Sequence, residues 1–354
     1  MAFRTNSATV ILAFVVATNV ANGADEHCME HCLAACGSSC GVVPHLNHGR
    51  ITAGPSHLGA VRKAICFKGY GLTGSNQVIC GEDRQWKIAS SCRKVSYNPA
   101  LNVAAKHGRL NEVEQLLRIG SDINGKDQSD GWTPLLFAAY MGETETVRFL
   151  IEHGADVNSR NSDGNTALII AAREGDPDSV QLLVEAGADV HAEGYAKHTA
   201  LLWASFKGLT ESVRLLLEHH ADIDARDIDG KTSLIHCAEH GHGDACRVLI
   251  EKGADVDAKS KANYTALMAA CYNCHPSIAQ LLIEHGADIN ARTQFSDTAL
   301  ALSAEYGCMN TIRLLVEEGA DINVRDIFGT TALFHAKRKG FNEIASYLEA
   351  NGAQ

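Results

Sequence analysis

Cysteine is the residue type with the most chemical potential in this chain, since 12 of its 354 residues are Cys. Seven of them lie between residues 28 and 92, a density that predicts a disulfide framework in an oxidising compartment. Cys28, Cys32 and Cys36 follow one another at a spacing of four, which would place them on one helix face. Three cysteines cannot all pair with one another. We therefore expect a disulfide-linked dimer through one of them or a bond to a later cysteine.

The same segment also holds side chains that zinc prefers. His27 and His31 lie beside Cys28 and Cys32, and imidazoles with thiolates are a common zinc ligand set. Thiols in an oxidising compartment are normally oxidised, so we favour disulfides and predict no metal site here.

The second part of the chain contains the other five cysteines. Cys237 and Cys246 stand where related segments have Ala or Val, so we predict small buried apolar residues. Cys271 and Cys274 form a Cys-x-x-Cys motif at a predicted helix end. A redox motif belongs at the start of a helix after a strand. We therefore expect either a strained local disulfide or two free thiols.

Three histidines, His236, His240 and His242, lie close together in the sequence, and we interpret them as solvated side chains rather than metal ligands. The chain has no Gly-rich phosphate loop, no nucleophile elbow and no paired-His zinc helix. These observations predict a protein without a cofactor and without enzymatic activity.

The first 23 residues have the pattern of a signal peptide. Arg4 is the one charge before an apolar run over residues 8–20, and Ala21 and Gly23 are the small residues that signal peptidase requires. We expect cleavage after Gly23. The apolar run is short for a membrane span, which needs about 20 residues, and no later segment is suitable. We therefore predict a secreted or lumenal protein with no stable membrane span, the endoplasmic reticulum or the cytoplasm being the alternatives.

A 33-residue repeat organises the chain after residue 97. One part of the repeat is the motif Gly-Ala-Asp-Val-Asn, which begins at Gly154 and returns in variants up to Gly319. A second part is Thr-Ala-Leu or a close variant, beginning at Thr133 and returning up to Thr331. Between these motifs lie two short apolar runs separated by Gly, which predict helix, tight turn, helix and a polar hairpin.

This pattern resembles the ankyrin repeat, whose period and Thr-Pro-Leu signature it matches. The resemblance covers residues 97–354 and implies about eight copies, the first one degenerate. The last copy carries Lys337, Arg338 and Lys339, as expected of a capping repeat that faces water. We thus predict a mainly α fold, a helical solenoid preceded by a small disulfide-rich β module.

Residues 40–93 are the predicted β module. Cys40, Cys66, Cys80 and Cys92, with Trp86, are arranged as in a sushi domain, also called a complement control protein module. The resemblance implies that Cys40 pairs with Cys80 and Cys66 with Cys92, around a core that contains Trp86. The cysteines alone allow three pairings. Residues 24–39 form a separate Cys-rich segment.

Charge is distributed unevenly between these parts. Residues 24–97 contain eight Lys or Arg against five Asp or Glu, and the whole chain has a net charge of -11. The repeats are therefore acidic. Nucleic-acid binding requires clustered Lys and Arg, so we predict no nucleic-acid partner.

The candidate binding surface comprises the positions that the ankyrin family varies, in the hairpins and at the ends of the first helices. Aromatic side chains recur there and are enriched in protein-binding sites. The predicted binding residues are Trp132, Tyr140, Met141, Tyr195, His198, Phe206, Lys207, Tyr264, Tyr272, Phe295, Tyr306 and Phe328. Phe137 and Trp203 are predicted to pack inside the array. Asn263 begins a glycosylation sequon.

The sequence therefore predicts a non-enzymatic scaffold, secreted or lumenal, that binds an unidentified protein through its concave face and hairpins. Two alternatives remain, a secreted effector or toxin-like protein that acts on another cell, and an intracellular ankyrin adaptor. They remain because ankyrin repeats are mostly intracellular, and five cysteines in such an array are unusual for an oxidising compartment.

Overall fold

A computed structural model describes residues 99–354 in full and the backbone of residues 49–51, 61–66, 70–80 and 86–94. The predicted signal peptide, residues 24–39 and Cys40 lie outside the described residues, as do the side chains of Cys66, Cys80 and Cys92.

Four strands form an antiparallel sheet in the order β1-β2-β3-β4. They are β1 (Gly49–Ile51), β2 (Val61–Cys66), β3 (Tyr70–Cys80) and β4 (Trp86–Lys94). In the pairing of β3 with β4, Cys80 lies opposite Trp86 and Leu72 lies opposite Cys92. The register shifts between Gly74 and Val78, as a β-bulge produces.

Residues 99–354 are mainly helical, as predicted, and contain sixteen α-helices that follow one another two per repeat along the chain. We call the odd-numbered helix of each repeat the first helix and the even-numbered one the second helix. The helices are α1 (Pro99–Lys106), α2 (Leu110–Arg118), α3 (Pro134–Met141), α4 (Thr144–Glu152), α5 (Ala167–Glu174), α6 (Pro177–Glu185), α7 (Ala200–Lys207), α8 (Thr210–Glu218), α9 (Ser233–His240), α10 (Gly243–Glu251), α11 (Ala266–Tyr272), α12 (Pro276–Glu284), α13 (Ala299–Tyr306), α14 (Met309–Glu317), α15 (Ala332–Lys339) and α16 (Asn342–Ala350).

The repeated Thr residue begins the first helices. Thr166 is the N-cap of α5, and its hydroxyl accepts a hydrogen bond from the backbone N–H of Ile169. Such a cap satisfies one of the free N–H groups of the first turn and stabilises a helix by about 1 kcal/mol. Thr232 is an exception, because its hydroxyl is buried without a hydrogen-bond partner in the described part of the chain.

The first helices form the core of the array. Each of the first helices from α5 to α13 contacts the first helices of both neighbouring repeats and the second helix of its own repeat. In α5 this buries Leu168, Ile169 and Ile170 on all sides, at 1% exposure or less. Complete burial of such a side chain contributes about 1.5–3 kcal/mol, so the stacked apolar surface holds the repeats together.

Hydrogen bonds between successive hairpins add a polar ladder to this core. The Asn158 side chain accepts from the Asp189 backbone N–H at 2.8 Å, and the equivalent Asn290 accepts from the Asp321 N–H at 2.9 Å. The Arg160 guanidinium donates to the Glu193 carbonyl at 3.1 Å. The last side chain of the Gly-Ala-Asp-Val-Asn motif thus links one hairpin to the next in the copies that end in Asn or Asp.

None of the helices described in the chain has the length and apolar character needed to span a membrane.

Candidate functional site

The predicted binding residues lie in the hairpins, up to the residue before the capping Thr, and in the last turns of the first helices. We call this surface of residues 126–354 the inner face. Eight of the predicted residues are exposed there, namely Tyr140, Met141, Tyr195, Lys207, Tyr272, Phe295, Tyr306 and Phe328. Four are half-buried, namely Trp132, His198, Phe206 and Tyr264.

A first aromatic cluster is formed by α3 and the residue that precedes its cap. The Trp132 ring lies 5.1 Å from Phe137 and 5.5 Å from Tyr140, the second contact being edge-on. Arg173 of the next repeat lies 5.8 Å from the Tyr140 ring centroid, in cation-π contact. Tyr140 nevertheless keeps 42% of its surface exposed, so a partner can still reach it.

A second cluster is centred on α7 and α9. His198 stacks on Trp203 at 4.6 Å, and Phe206 lies 5.5 Å from Trp203 and 4.1 Å from His240. Phe206 is thus held between two repeats by its neighbours. Its role includes packing as well as any contact with a partner.

A third cluster joins α11 and α13. The rings of Tyr272 and Tyr306 lie 4.0 Å apart, and the Lys339 ammonium lies 5.9 Å from the Tyr306 ring centroid. A hydrogen bond with Tyr272, together with burial, raises the pKa of Tyr306 to about 12. The Tyr306 phenol is therefore neutral at physiological pH. Tyr264, by contrast, turns inward, where its hydroxyl donates to the Met268 carbonyl and burial raises its pKa.

The hairpin tips carry aromatic side chains outside these clusters. Tyr195 is 70% exposed, Phe295 49% and Phe328 76%, values that are high for large apolar side chains. Asn263, the predicted glycosylation residue, is exposed on another hairpin and has a φ of 56°.

A buried polar cluster lies behind the second aromatic cluster, and the sequence prediction missed it. Nε2 of His236 lies 2.9 Å from Oδ2 of Asp227, and Nε2 of His198 lies 3.9 Å from the same oxygen. The prediction that His236 is solvated was wrong, since it is only 5% exposed, because its position in α9 faces the neighbouring hairpin. His240 is exposed, as expected.

Burial and hydrogen bonding set the protonation of this cluster. Burial lowers the pKa of His198, and the nearby His236 adds to the effect. Burial alone would raise the pKa of Asp227. Hydrogen bonds from His236 and from the backbone N–H groups of Lys231 and Asp229 instead hold that pKa below its ordinary value.

The cysteines of the array differ from the prediction. Cys237 and Cys246 are fully buried, as predicted, but they pair with each other and so join α9 to α10. Cys274 pairs with Cys308 of the next repeat and not with Cys271, which is a buried free thiol. The predictions of a local disulfide between Cys271 and Cys274 and of two free thiols were both wrong. The turn after α11 directs Cys274 toward the next repeat.

Comparison with known protein families gives two matches. The description "Ankyrin repeats (3 copies)" matches residues 101–194, 191–260 and 267–354. The chain belongs to the ankyrin-repeat family. The description "Sushi repeat (SCR repeat)" matches residues 40–92. Both family resemblances of the sequence are thereby confirmed.

Several characterised proteins are similar to part of this ankyrin-repeat chain. The human DNA-binding protein RFXANK is 42% identical over 57 residues, which are 16% of this chain and 22% of RFXANK. Protein phosphatase 1 regulatory subunit 12A of Mus musculus is 35% identical over 89 residues, which are 24% of this chain and 9% of that protein. Glycerophosphocholine phosphodiesterase gde1 of Schizosaccharomyces pombe is 32% identical over 97 residues, which are 27% of this chain and 8% of the enzyme. The chain thus covers about a fifth or less of the length of these relatives.

Proposed function

We propose that this protein is a non-enzymatic scaffold that captures another protein on its inner face. The observation that carries the proposal is the exposure of large aromatic side chains at the ends of the first helices of several repeats. Tyr140, Tyr272 and Tyr306 are 42%, 36% and 45% exposed. Half-exposed aromatic rings held by their neighbours are suited to binding, because little side-chain entropy is lost when a partner covers them.

The charges of the inner face favour a protein partner. Arg173 and Lys339 lie over exposed tyrosines, while the repeats as a whole are acidic. Aromatic side chains and Arg are enriched in protein interfaces. A nucleic-acid partner would require a continuous basic surface.

We further propose that the array functions in an oxidising compartment, which is the secreted or lumenal location that the leader and the sushi repeat favour. Four of the five array cysteines form two pairs, Cys237 with Cys246 and Cys274 with Cys308. Paired cysteines are rare in reducing compartments. These pairs support a secreted or lumenal location for this array, although ankyrin repeats are mostly intracellular.

The binding proposal is tested by a photo-crosslinking amino acid placed at Tyr140 or Tyr306, with Tyr347 as the matched control. Tyr347 lies in the second helix α16, where Arg313 covers its ring at 5.8 Å. We expect the same crosslinked partner from Tyr140 and Tyr306 and none from Tyr347. Crosslinking from Tyr347 alone would move the interface to the second helices and contradict the proposal.

The location is tested by mass spectrometry of intact protein from the medium and the lysate of expressing cells. We expect a product in the medium that begins at Ala24 and carries the two array disulfides. Full-length protein found only in the lysate, with free thiols, would instead support the intracellular adaptor. Secreted protein that enters other cells would support the effector alternative.

A further inference from the structure

We propose that His198, Asp227 and His236 form a binding site for a divalent transition-metal ion of the zinc class. The three residues belong to two consecutive repeats. His198 precedes the capping Thr199 of α7, while Asp227 and His236 lie in the following hairpin and in α9. Two imidazoles and one carboxylate are a ligand set that zinc uses in proteins.

The geometry of the three ligand atoms suits one ion. Nε2 of His236 and Nε2 of His198 lie 2.9 Å and 3.9 Å from Oδ2 of Asp227, and all three atoms lie within 4.8 Å of one another. Zinc binds nitrogen and oxygen at about 2.0–2.2 Å, so its tetrahedral ligands lie about 3.4 Å apart. The two separations from Asp227 lie on either side of this value, and shifts of about half an ångström would bring both of them to it.

The cluster is incompletely satisfied without an ion. The separation of 3.9 Å between His198 and Asp227 is too long for a hydrogen bond. Nε2 of His198 therefore faces Oδ2 of Asp227 without a direct hydrogen bond to it, and an ion between the two atoms would bridge this gap.

The charge of Asp227 also calls for a cation. Its side chain is 3% exposed, and the two histidines are its only ion-pair partners in the described part of the chain. A buried carboxylate is costly unless it is paired or bound to a metal. The backbone N–H groups of Asp229 and Lys231 hold Oδ1 at 2.9 Å each, which leaves Oδ2 directed at the two imidazoles.

The surroundings hold the ligands in place. His198 is fixed by its stacking on Trp203, and Phe206 packs edge-on against His236 at 6.0 Å. Apolar walls around a metal site exclude water and strengthen the attraction between the ion and its ligands. The partial exposure of His198, 15% of its side chain, leaves one side of the site open for a fourth ligand.

A second cluster at the same repeat positions provides an internal comparison. It consists of Asp297, Asp326 and His335, which occupy the positions of His198, Asp227 and His236 three repeats later. The ligand atoms of this second cluster also lie within 4.8 Å of one another. There, however, Nη2 of Arg338 lies 3.3 Å from Nδ1 of His335, and the Thr330 hydroxyl contacts Asp326. A guanidinium beside the site repels a cation. We therefore assign the metal to the first cluster alone.

The test is metal binding by the oxidised full-length protein after removal of metal with a chelator. Wild-type protein and the variants His198→Ala and Asp227→Asn are titrated with Co²⁺, followed by its visible absorption, and then with Zn²⁺ in competition with a chromophoric chelator. His198→Ala leaves the Asp227–His236 hydrogen bond in place, and Asn keeps an acceptor for the two backbone N–H groups. Both variants should therefore fold, which far-ultraviolet circular dichroism verifies.

His240→Ala and His335→Ala are the matched controls. His240 lies in the same aromatic cluster but directs Nδ1 at the His236 carbonyl, and His335 belongs to the second cluster. We expect one tightly held ion in the wild type and in both controls, and a loss of affinity of at least about tenfold in His198→Ala and Asp227→Asn. The proposal is overturned if the wild type takes up no metal. It is also overturned if the metal affinity of His198→Ala falls by less than about tenfold, or if the affinity of a control variant falls by as much.

Discussion

At the scale of single residues, Cys274 occupies a turn position that holds Gly in most repeats, and it forms a disulfide bond there. The turn after each first helix usually holds a Gly with positive φ, such as Gly208, and a Cβ there would lie 2.4 Å from Nδ1 of His242 in the next repeat. Cys274 occupies the same position in its own repeat with a φ of 58°. Its neighbour across the interface is Cys308. The approach seen at Gly208 thus places two sulfur atoms together at Cys274. A φ near +60° is unfavourable for a residue with a Cβ, so this position combines a costly backbone conformation with a covalent bond.

The free thiol of Cys271 should resist modification in the folded protein. Complete burial raises its pKa to about 12, so only about one molecule in ten thousand carries the thiolate at pH 8. Iodoacetamide added to native protein at pH 8 should leave Cys271 unlabelled by mass spectrometry. Denaturation with the disulfides intact should then allow complete labelling. Rapid labelling of native protein would show that the region around α11 opens readily.

Asp127 should make the stability of the array dependent on pH. Burial alone would raise its pKa, but hydrogen bonds from the Trp132 backbone and the Ser129 hydroxyl hold the pKa below its ordinary value. A lowered pKa in the folded state stabilises the fold above the ordinary Asp pKa of about 4, and this contribution disappears as the pH falls through the folded pKa.

The measurement is the urea unfolding midpoint of wild-type protein and Asp127→Asn at pH 7 and at pH 2.5. We expect the variant to be less stable at pH 7 and the difference to shrink in acid. A difference that is equal at both pH values would mean that the charge of Asp127 contributes nothing.

At the scale of helices, two disulfides reinforce different contacts. The Cys237–Cys246 bond closes a short loop within one helix pair, with a sequence separation of 9. The Cys274–Cys308 bond joins one repeat to the next, with a separation of 34. In an array, stability depends on contacts between neighbouring repeats, so a bond across the interface limits local opening.

Removal of the interface disulfide should therefore cost more than removal of the other one. From the loop lengths, the entropic model gives a loss of about 4 kcal/mol for Cys308→Ala and about 3 kcal/mol for Cys237→Ala. The loss is measured by urea unfolding followed through the helical circular dichroism signal. A reductant should destabilise the wild type but have less effect on either variant. Equal stability of Cys308→Ala and wild type would show that the bond is absent in solution.

At the scale of the whole molecule, a cysteine-rich segment and an acidic repeat array are combined in one chain. The sushi repeat at residues 40–92 belongs to a class of module that depends on disulfides because its core is small. The array has its own apolar core and gains two further disulfides. Both parts are thus compatible with one oxidising compartment.

The sequence alone determined the family and the arrangement of the repeats. The 33-residue period, the capping Thr residues and the turn Gly residues specify helix pairs, because they act through local backbone requirements. They also indicated which aromatic residues lie at hairpins and helix ends. Tyr140 and Tyr306 could be placed in this way, since their positions within a repeat dictate their exposure.

Only the tertiary structure decided which side chains meet across repeat interfaces. His198 meets Asp227 and His236, and Cys274 meets Cys308, over separations of about one repeat. The period reveals that repeats stack, but the offset and rotation between them depend on how their apolar surfaces pack. Long-range contacts of this kind decide whether a histidine is solvated or buried and whether a cysteine is free or paired.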